Sequence, residues 1–373
     1  MSYIDKLAGA AERAEAALDQ CLDLTKPLDW PAFTELTSAV ENAIGLPHQQ
    51  ARLPFRLSQA SPIGSSPAPD VPLHCLIWDA ASAAEPLQPD LICAGGIAGS
   101  ARRFDFLAAD LCHHRRIIAF DWAGRGLSGW LPELDDYNLD SHCEQLACVI
   151  EKLAAPPVDV LGSSLGGAAA LKLAVRRPDL IRWIVLNDTG AEIPKARRQR
   201  RARAVGRHYV FHNPNDLFRR LGAAEKNSGP VGDAVLLHNA HHPTHWSAAE
   251  QGRIYRHDPR ALLAYRNEAQ QDLELWPEWQ RLCQPVMILR GDLSDALSIA
   301  TLDRMANSRA FHLAHVPGSG HTPALSDTGQ IDAIDHWLRS EKPAADQIRL
   351  AVGTTSVRRL FTRPLALEQK TQD

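Results

Sequence analysis

The chain has 373 residues, 45 % of them hydrophobic, and a formal net charge of −4. That size and composition suit one large α/β domain with an insertion, or two small domains, around a sizeable core. They exclude general affinity for nucleic acid and a membrane span, since no apolar run approaches the ~18 residues a span needs. Seven cysteines without a Cys-x-x-Cys pair read as reduced, mostly buried thiols of a cytoplasmic protein, not a disulfide framework. Met1 to Lys6 carry no basic segment followed by an apolar core, so no signal peptide is expected.

Two helices are expected before about residue 46. Ile4, Leu7, Ala11, Ala14, Leu18 and Cys21 form a stripe at spacings of three and four. The second helix opens at Asp29 with Pro31 in its first turn, carries Phe33, Leu36, Val40 and Ile44, and stops at Gly45-Leu46-Pro47. Docking on the main domain is the expectation for this pair, with self-association into a homo-oligomer left open. Gln59 to Asp70 is a loop rich in proline, glycine and serine.

From about Arg52 strands and helices alternate. Leu73–Trp78 and Leu91–Ala94 are strands, the second running into Gly95-Gly96-Ile97-Ala98-Gly99-Ser100. A helix around Phe104–Leu111 leads to a buried strand, Arg116–Phe120, which ends in Asp121-Trp122-Ala123-Gly124-Arg125-Gly126-Leu127-Ser128. A helix over Ser141–Leu153 precedes Val158-Asp159-Val160-Leu161, another buried strand, and then Gly162-Ser163-Ser164-Leu165-Gly166-Gly167. An alanine-rich helix follows, then the strand Trp183–Asn187 and Asp188-Thr189-Gly190. This alternation predicts a doubly wound, mostly parallel sheet with helices on both faces.

Strand, Gly-x-Ser-x-Gly and helix together make a nucleophile elbow centred on Ser164. So sharp a turn crowds the residues two positions either side of the serine, where Gly162 and Gly166 present no Cβ. The helix start then points free N–H groups at whatever lies over Ser164.

At about residue 191 the alternation breaks. Up to about 282 no strand is expected, only helical pieces with many aromatics and charges; strands resume at Pro285–Leu289 and Phe311–Val316, followed by a helix over Ile331–Leu338. An insertion of helices between two strands of one sheet predicts a lid. The domains are then a helical N-terminal extension (1–50), an α/β core (51–190 and 283–340), the lid (191–282) and a C-terminal extension (341–373) with an isolated apolar stretch, Val352–Phe361. In the lid, His238, His241, His242 and His245 lack a recognisable ligand spacing, so no metal is expected. His113-His114-Arg115-Arg116 reads as a solvated loop. Lys195 to Arg207 is strongly basic, and its arginines cannot all share one helix face; one or two leaning toward the pocket would draw in an anionic substrate, while the plainer expectation is a solvated surface.

From about 52 to 340 the chain resembles the α/β-hydrolases that carry a helical cap. Gly96-Ile97-Ala98-Gly99-Ser100 is similar to the family's oxyanion loop, with Gly95 where histidine is common. Asp121-x-x-Gly124-x-Gly126-x-Ser128 is similar to its turn after the fourth strand, read here as structural. The elbow follows, then Asn187-Asp188-Thr189-Gly190, Leu289-Arg290-Gly291-Asp292-Leu293-Ser294-Asp295 and Pro317-Gly318-Ser319-Gly320-His321-Thr322-Pro323. Serine, acid and histidine in that order match the family's.

The resemblance implies Ser164 as nucleophile, His321 as base and acid, and Asp295 as the orienting acid, with Asp188 and Asp292 as rivals. It implies the backbone N–H groups of Ile97 and Leu165 as oxyanion donors, and no cofactor. The expected protein is a cytoplasmic, cofactor-free serine hydrolase of an ester, lactone or thioester of a small or medium organic acid. The alternatives with the same residues are a carbon–carbon bond hydrolase, an acyltransferase, or a hydrolase-like protein that binds a ligand without turning it over. The expected partner is a small-molecule substrate, not nucleic acid or membrane.

Overall fold

The computed structural model describes residues 9–23, 25–26, 28–58, 69–80, 88–224, 228–341 and 346–350. Most of the 59–70 loop, Ile4 and Leu7, and the Val352–Phe361 stretch lie outside the described residues.

The chain opens with α1 (Ala10–Cys21) and α2 (Trp30–Ile44). Asp29 caps α2 by accepting from Ala32 N at 2.9 Å, a bond worth about 1 kcal/mol, and Gly45 ends it at φ 87°. The sheet region follows as β1 (Gln49–Phe55), β2 (Val71–Trp78), β3 (Leu91–Ala94), α3 (Asp105–Leu111), β4 (Ile117–Phe120), α4 (Leu139–Leu153), β5 (Val158–Ser163), α5 (Leu165–Arg176) and β6 (Ile181–Asn187). The insertion holds β7 (Glu192–Ile193), α6 (Lys195–Val205), α7 (Pro214–Ala224), α8 (Asp233–His241), β8 (Thr244–Ser247), β9 (Gly252–Tyr255), α9 (Pro259–Glu268), β10 (Leu273–Glu274) and α10 (Trp276–Arg281). Then come β11 (Val286–Gly291), α11 (Ile299–Ala306), β12 (His312–Val316), α12 (Thr328–Arg339) and β13 (Gln347–Arg349).

Among the described residues the main sheet has nine strands in the order β1-β2-β4-β3-β5-β6-β11-β12-β13. β2 is antiparallel to both β1 and β4, and all other neighbours are parallel. The fold is the α/β, doubly wound type that the alternation predicts. Its central strands are apolar on both faces because helices cover both. Ile92, Ile118, Val160 and Ile288 join the core beneath α4 and α5. Their chain neighbours Leu91, Ile117, Leu161 and Met287 join the core beneath α3 and α12. The residues on each strand therefore alternate between two separate cores.

Asp159 interrupts this apolar pattern in β5. It is fully buried and receives Arg115 Nη1 at 3.0 Å and Arg182 Nε and Nη2 at 2.7 Å each. Arg115 is itself fully buried, so the expectation of a solvated loop at 113–116 is corrected: its guanidinium is the counter-charge of a core aspartate. His114 likewise pairs with Asp335 of α12 at 3.0 Å.

The insertion is not purely helical. Glu192 and Ile193 pair with Glu274 and Leu273, so a two-residue ladder ties its two ends together. β8 and β9 form a hairpin. β13 falls in the expected C-terminal extension, yet it adds to the sheet beside β12.

The first two helices pack chiefly on the insertion, not on the sheet domain as expected. Ala14, Leu18, Phe33 and Val40 share a core with Phe106 of α3 and with Phe218, Ala234, Val235 and Leu237 of α7 and α8. Glu15 reaches the start of α8, where its Oε1 accepts from Ala234 N at 2.8 Å. Gly232 makes that approach feasible, since a Cβ there would lie 1.9 Å from the same oxygen. Trp30 Nε1 donates to the carbonyl of His212 at 3.0 Å. No described helix is long and apolar enough to cross a membrane.

Candidate active site

β5 delivers Ser164 at the turn into α5, with φ 51° and ψ −109°, a strained conformation for a residue with a Cβ. The chain around it is close-packed. A Cβ on Gly166 would lie 2.1 Å from the carbonyl oxygen of Ala94, which ends β3. That contact explains why glycine stands two residues after the serine: α5 passes directly over the neighbouring strand.

His321 sits on the loop after β12. Its Nε2 lies 2.9 Å from Ser164 Oγ, and its Nδ1 lies 2.8 Å from Asp188 Oδ2. With Nδ1–H donating to the carboxylate, Nε2 is left free to accept from the serine hydroxyl. Asp188 is 1 % exposed. Its carboxylate also accepts from Ser294 Oγ at 2.6 Å and from Gly291 N at 3.1 Å.

The assignment of Asp295 as the acid is therefore corrected. Asp295 turns away from His321 and receives Arg197 Nε at 2.7 Å and Arg200 Nη2 at 2.9 Å, both from α6. Partial burial pushes its carboxyl up, but the Arg200 hydrogen bond and the Arg197 charge outweigh this and hold it below the usual range. Asp292 is also excluded, being paired with Arg349 of β13. The physical reason lies in the sheet. β6 and β11 are adjacent and parallel, so both C-terminal loops end beneath His321. The β6 loop fills the space with its own acid, and the β11 loop supplies Ser294 and the Gly291 N–H to hold it. The signal in the sequence was Asp188 directly after an apolar strand, a position equivalent in kind to that of Ser164.

The 95–100 loop lies across the elbow. An ideal Cβ on Gly96 would stand 3.6 Å from Ser164 Cβ, and Gly99 N closes the turn on Gly96 O at 3.0 Å. The segment after β4 fixes the loop from behind. Trp122 Nε1 donates to Gly95 O at 2.8 Å and Arg125 Nε to Ile97 O at 2.7 Å. Asp121 accepts from Ala101 N at 2.7 Å and Leu127 N at 3.0 Å, and Ser128 Oγ donates to the carbonyl of Asp121 at 2.6 Å. Leu165 is the first residue of α5, so its N–H has no intrahelical acceptor. Ile97 lines the cavity over Ser164, a space of about 640 Å³ with its open mouth, that also meets Phe104, His321 and Leu325.

Of the four clustered histidines, His238 and His242 come together with Asp105, ligand atoms within 4.8 Å of one another. A guanidinium already occupies the group: Arg102 Nη2 is 2.8 Å from Asp105 Oδ2 and 3.2 Å from Glu41 Oε1. His242 Nε2 adds a 2.9 Å contact to Glu41. The cluster is a polar weld between α2, α3 and α8, with its cation built in.

Burial keeps several histidines neutral. His142 is pushed down to about 3 by burial and the nearby Arg125 charge, and His241 and His257 to about 4, by burial and then by Arg253 and Arg125 respectively. Each would protonate near 6.5 in the unfolded chain. Below that pH the unfolded state binds more protons, so stability falls as pH drops from about 6.5 toward about 4. The urea midpoint is expected to be lower at about pH 5.5 than at about pH 7.5, a range in which most carboxylates stay ionised. Equal midpoints would show these rings accept protons without unfolding.

Elbow, histidine loop and sheet order define the class. The chain belongs to the α/β-hydrolase fold family, whose model matches residues 89–328. It is 27 % identical over 258 residues to a 3-hydroxybutyrate-oligomer hydrolase of Cupriavidus necator, covering 66 % of this chain and 87 % of that protein. It is 26 % identical over 211 residues to an esterase of Mycobacterium tuberculosis, covering 55 % of this chain and 68 % of that one. Among solved structures, E-2-(acetamidomethylene)succinate hydrolase shares the fold at TM-score 0.61 and 22 % identity, over 78 % of this chain and 100 % of that one. An α/β hydrolase from Novosphingobium aromaticivorans does so at TM-score 0.65 and 24 % identity, over 79 % and 99 %. The relatives are hydrolases and support a hydrolase function here.

Proposed function

We propose that the protein is a serine hydrolase that cleaves an ester, lactone or thioester of a small or medium organic acid through an acyl-enzyme on Ser164. The observation that carries this reading is the relay Ser164–His321–Asp188, at 2.9 and 2.8 Å. Ser164 Oγ attacks the carbonyl carbon while its proton passes to His321 Nε2. Asp188 holds the tautomer and stabilises the imidazolium. The oxyanion faces the N–H groups of Ile97 and Leu165, each worth about 3 kcal/mol. Collapse expels the alcohol or thiol, which takes the proton from His321. Water then attacks the acyl carbon, gives a proton to His321, and releases the acid as Ser164 regains its hydrogen. The 191–282 insertion serves as the lid that covers this chemistry. The relatives named for ester and oligomer hydrolysis support this choice of bond.

Labelling with a fluorophosphonate tests the reading. Native protein is expected to react stoichiometrically, and Ser164→Ala and His321→Ala not to react. Equal labelling of Ser164→Ala would move the nucleophile elsewhere, and an inert native protein would make the molecule a binding protein on a hydrolase scaffold.

A further inference from the structure

Of the five arginines of α6, Arg203 is exposed and the other four divide into two groups. Arg197 and Arg200 share Asp295, and Arg198 donates to the carbonyls of Glu268 and Gln271 beside the Glu268 carboxylate. These three face acids or backbone. Arg201 turns the other way and lines the cavity over Ser164, beside Arg103. Among the described residues, no carboxylate lies within 4.0 Å of either guanidinium. Arg103 has one neutral contact, Nη2 to Ser228 Oγ at 3.1 Å.

Arg103 and Arg201 also border a second cavity, of about 800 Å³ with its mouth, which shares Ala98 and Gly99 with the first. Arg125, Arg220 and Arg256 line it as well. Their hydrogen bonds run to carbonyls: Arg125 to Ile97, Arg220 to Ala204 at 3.3 Å, and Arg256 to Thr244 at 3.0 Å. Arg125 Nη2 is buried without an acceptor. In a chain of net charge −4, cations are thus gathered at one place; Asp258 and Asp121 act on Arg125 and Arg256 from a distance, while Arg103 and Arg201 have no carboxylate partner among the described residues.

We propose that this chamber binds an anionic group of the substrate, a carboxylate or a phosphate, with Arg201 and Arg103 as its forks at the junction with the Ser164 cavity. The placement rests on Ser164 being the nucleophile; the anion site itself does not. Unpaired buried charge is costly, and several like charges facing one void raise the cost further. Burial, with Arg197, Arg220 and Arg103 close by, pushes Arg201 down to about 10, the mark of a cation that lacks its partner. Either oxyanion supplies what each fork lacks, a pair of acceptor oxygens that one guanidinium can meet together. The tyrosines on the same wall, Tyr209 and Tyr255, offer apolar faces for whatever carries the charge.

Two measurements test this. Ser164→Ala protein is titrated with succinate and with inorganic phosphate at low salt. Saturable binding is expected, weakened about tenfold or more by Arg201→Gln and by high salt. Separately, kcat/KM is compared for p-nitrophenyl butyrate against p-nitrophenyl hemisuccinate, and for an acyl-N-acetylcysteamine thioester against the coenzyme A thioester. The first pair reads a carboxylate and the second a phosphate. At least one anionic partner is expected to lead its neutral analogue by about tenfold or more. Arg201→Gln should erase that lead, and Arg200→Gln, at the outer Asp295 pair, should keep it. If Arg201→Gln does not fold, salt-sensitive competitive inhibition of native butyrate hydrolysis by succinate or phosphate gives the same information. No anion binding together with equal rates for both members of each pair would overturn the proposal. Anion binding without hydrolysis of any ester would instead overturn the serine-hydrolase reading and leave the chamber standing.

Discussion

Asp188→Asn is expected to lower kcat by about 10⁴-fold, whereas Asp295→Asn stays within a few-fold of the native enzyme. The amide keeps the shape of the carboxylate but can donate to His321 Nδ1. The ring then carries its proton on Nε2 and no longer accepts from Ser164 Oγ. The loss should fall on kcat, because nothing in the cavity over Ser164 changes. Asp295 only joins α6 to the β11 loop through Arg197 and Arg200. Turnover of the best ester, normalised to the fraction labelled by fluorophosphonate in excess reagent, checks both variants. A greater loss in Asp295→Asn than in Asp188→Asn would return the acid to the later strand.

The largest effect on stability is expected at Asp159→Asn, about 3–5 kcal/mol by urea denaturation. The substitution leaves Arg115, wholly inside the protein, without its nearest carboxylate; the next, Asp335, is 3.9 Å from Nη2. Arg182 can still reach the carbonyl of Leu338 and lie over the Trp183 ring, so it suffers less. Arg115→Leu with Asp159→Leu removes both charges and should recover most of the loss. A midpoint for Asp159→Asn equal to native would mean that Arg115 relaxes to water, contrary to its burial.

Much of the fold was legible because the central strands are short apolar runs bounded by turn residues, which only a sheet covered on both faces requires. β1 was not, since three of the four residues Gln49-Gln50-Ala51-Arg52 at the sheet edge are polar. β7 and β10 are two residues each and exist only because the insertion closes on itself. Ser164 and His321 were legible because each sits in a local motif whose backbone demands are written in adjacent glycines. The acid was not. Its identity depends on which of two neighbouring strand ends turns under His321, and Asp295 was diverted by arginines 95 and 98 residues away in the chain. The inward turn of Arg201 is likewise a matter of helix rotation, which a helix this uniformly basic does not encode in its own pattern.

The contact between Glu15 and the start of α8 spans 219 residues. On the ribosome α1 and α2 emerge ahead of the sheet, and their partner surface follows only after β1 to β6 have been made. At about 5–20 residues per second, Leu18, Phe33 and Val40 wait roughly 10–40 s for it. During that time the helix pair is an amphipathic segment with an uncovered face, a natural client for a chaperone. α1 and α2 can join α7 and α8 only when that wait ends, with β11, β12 and β13 still to follow. The insertion is completed by residues made before any of the described strands.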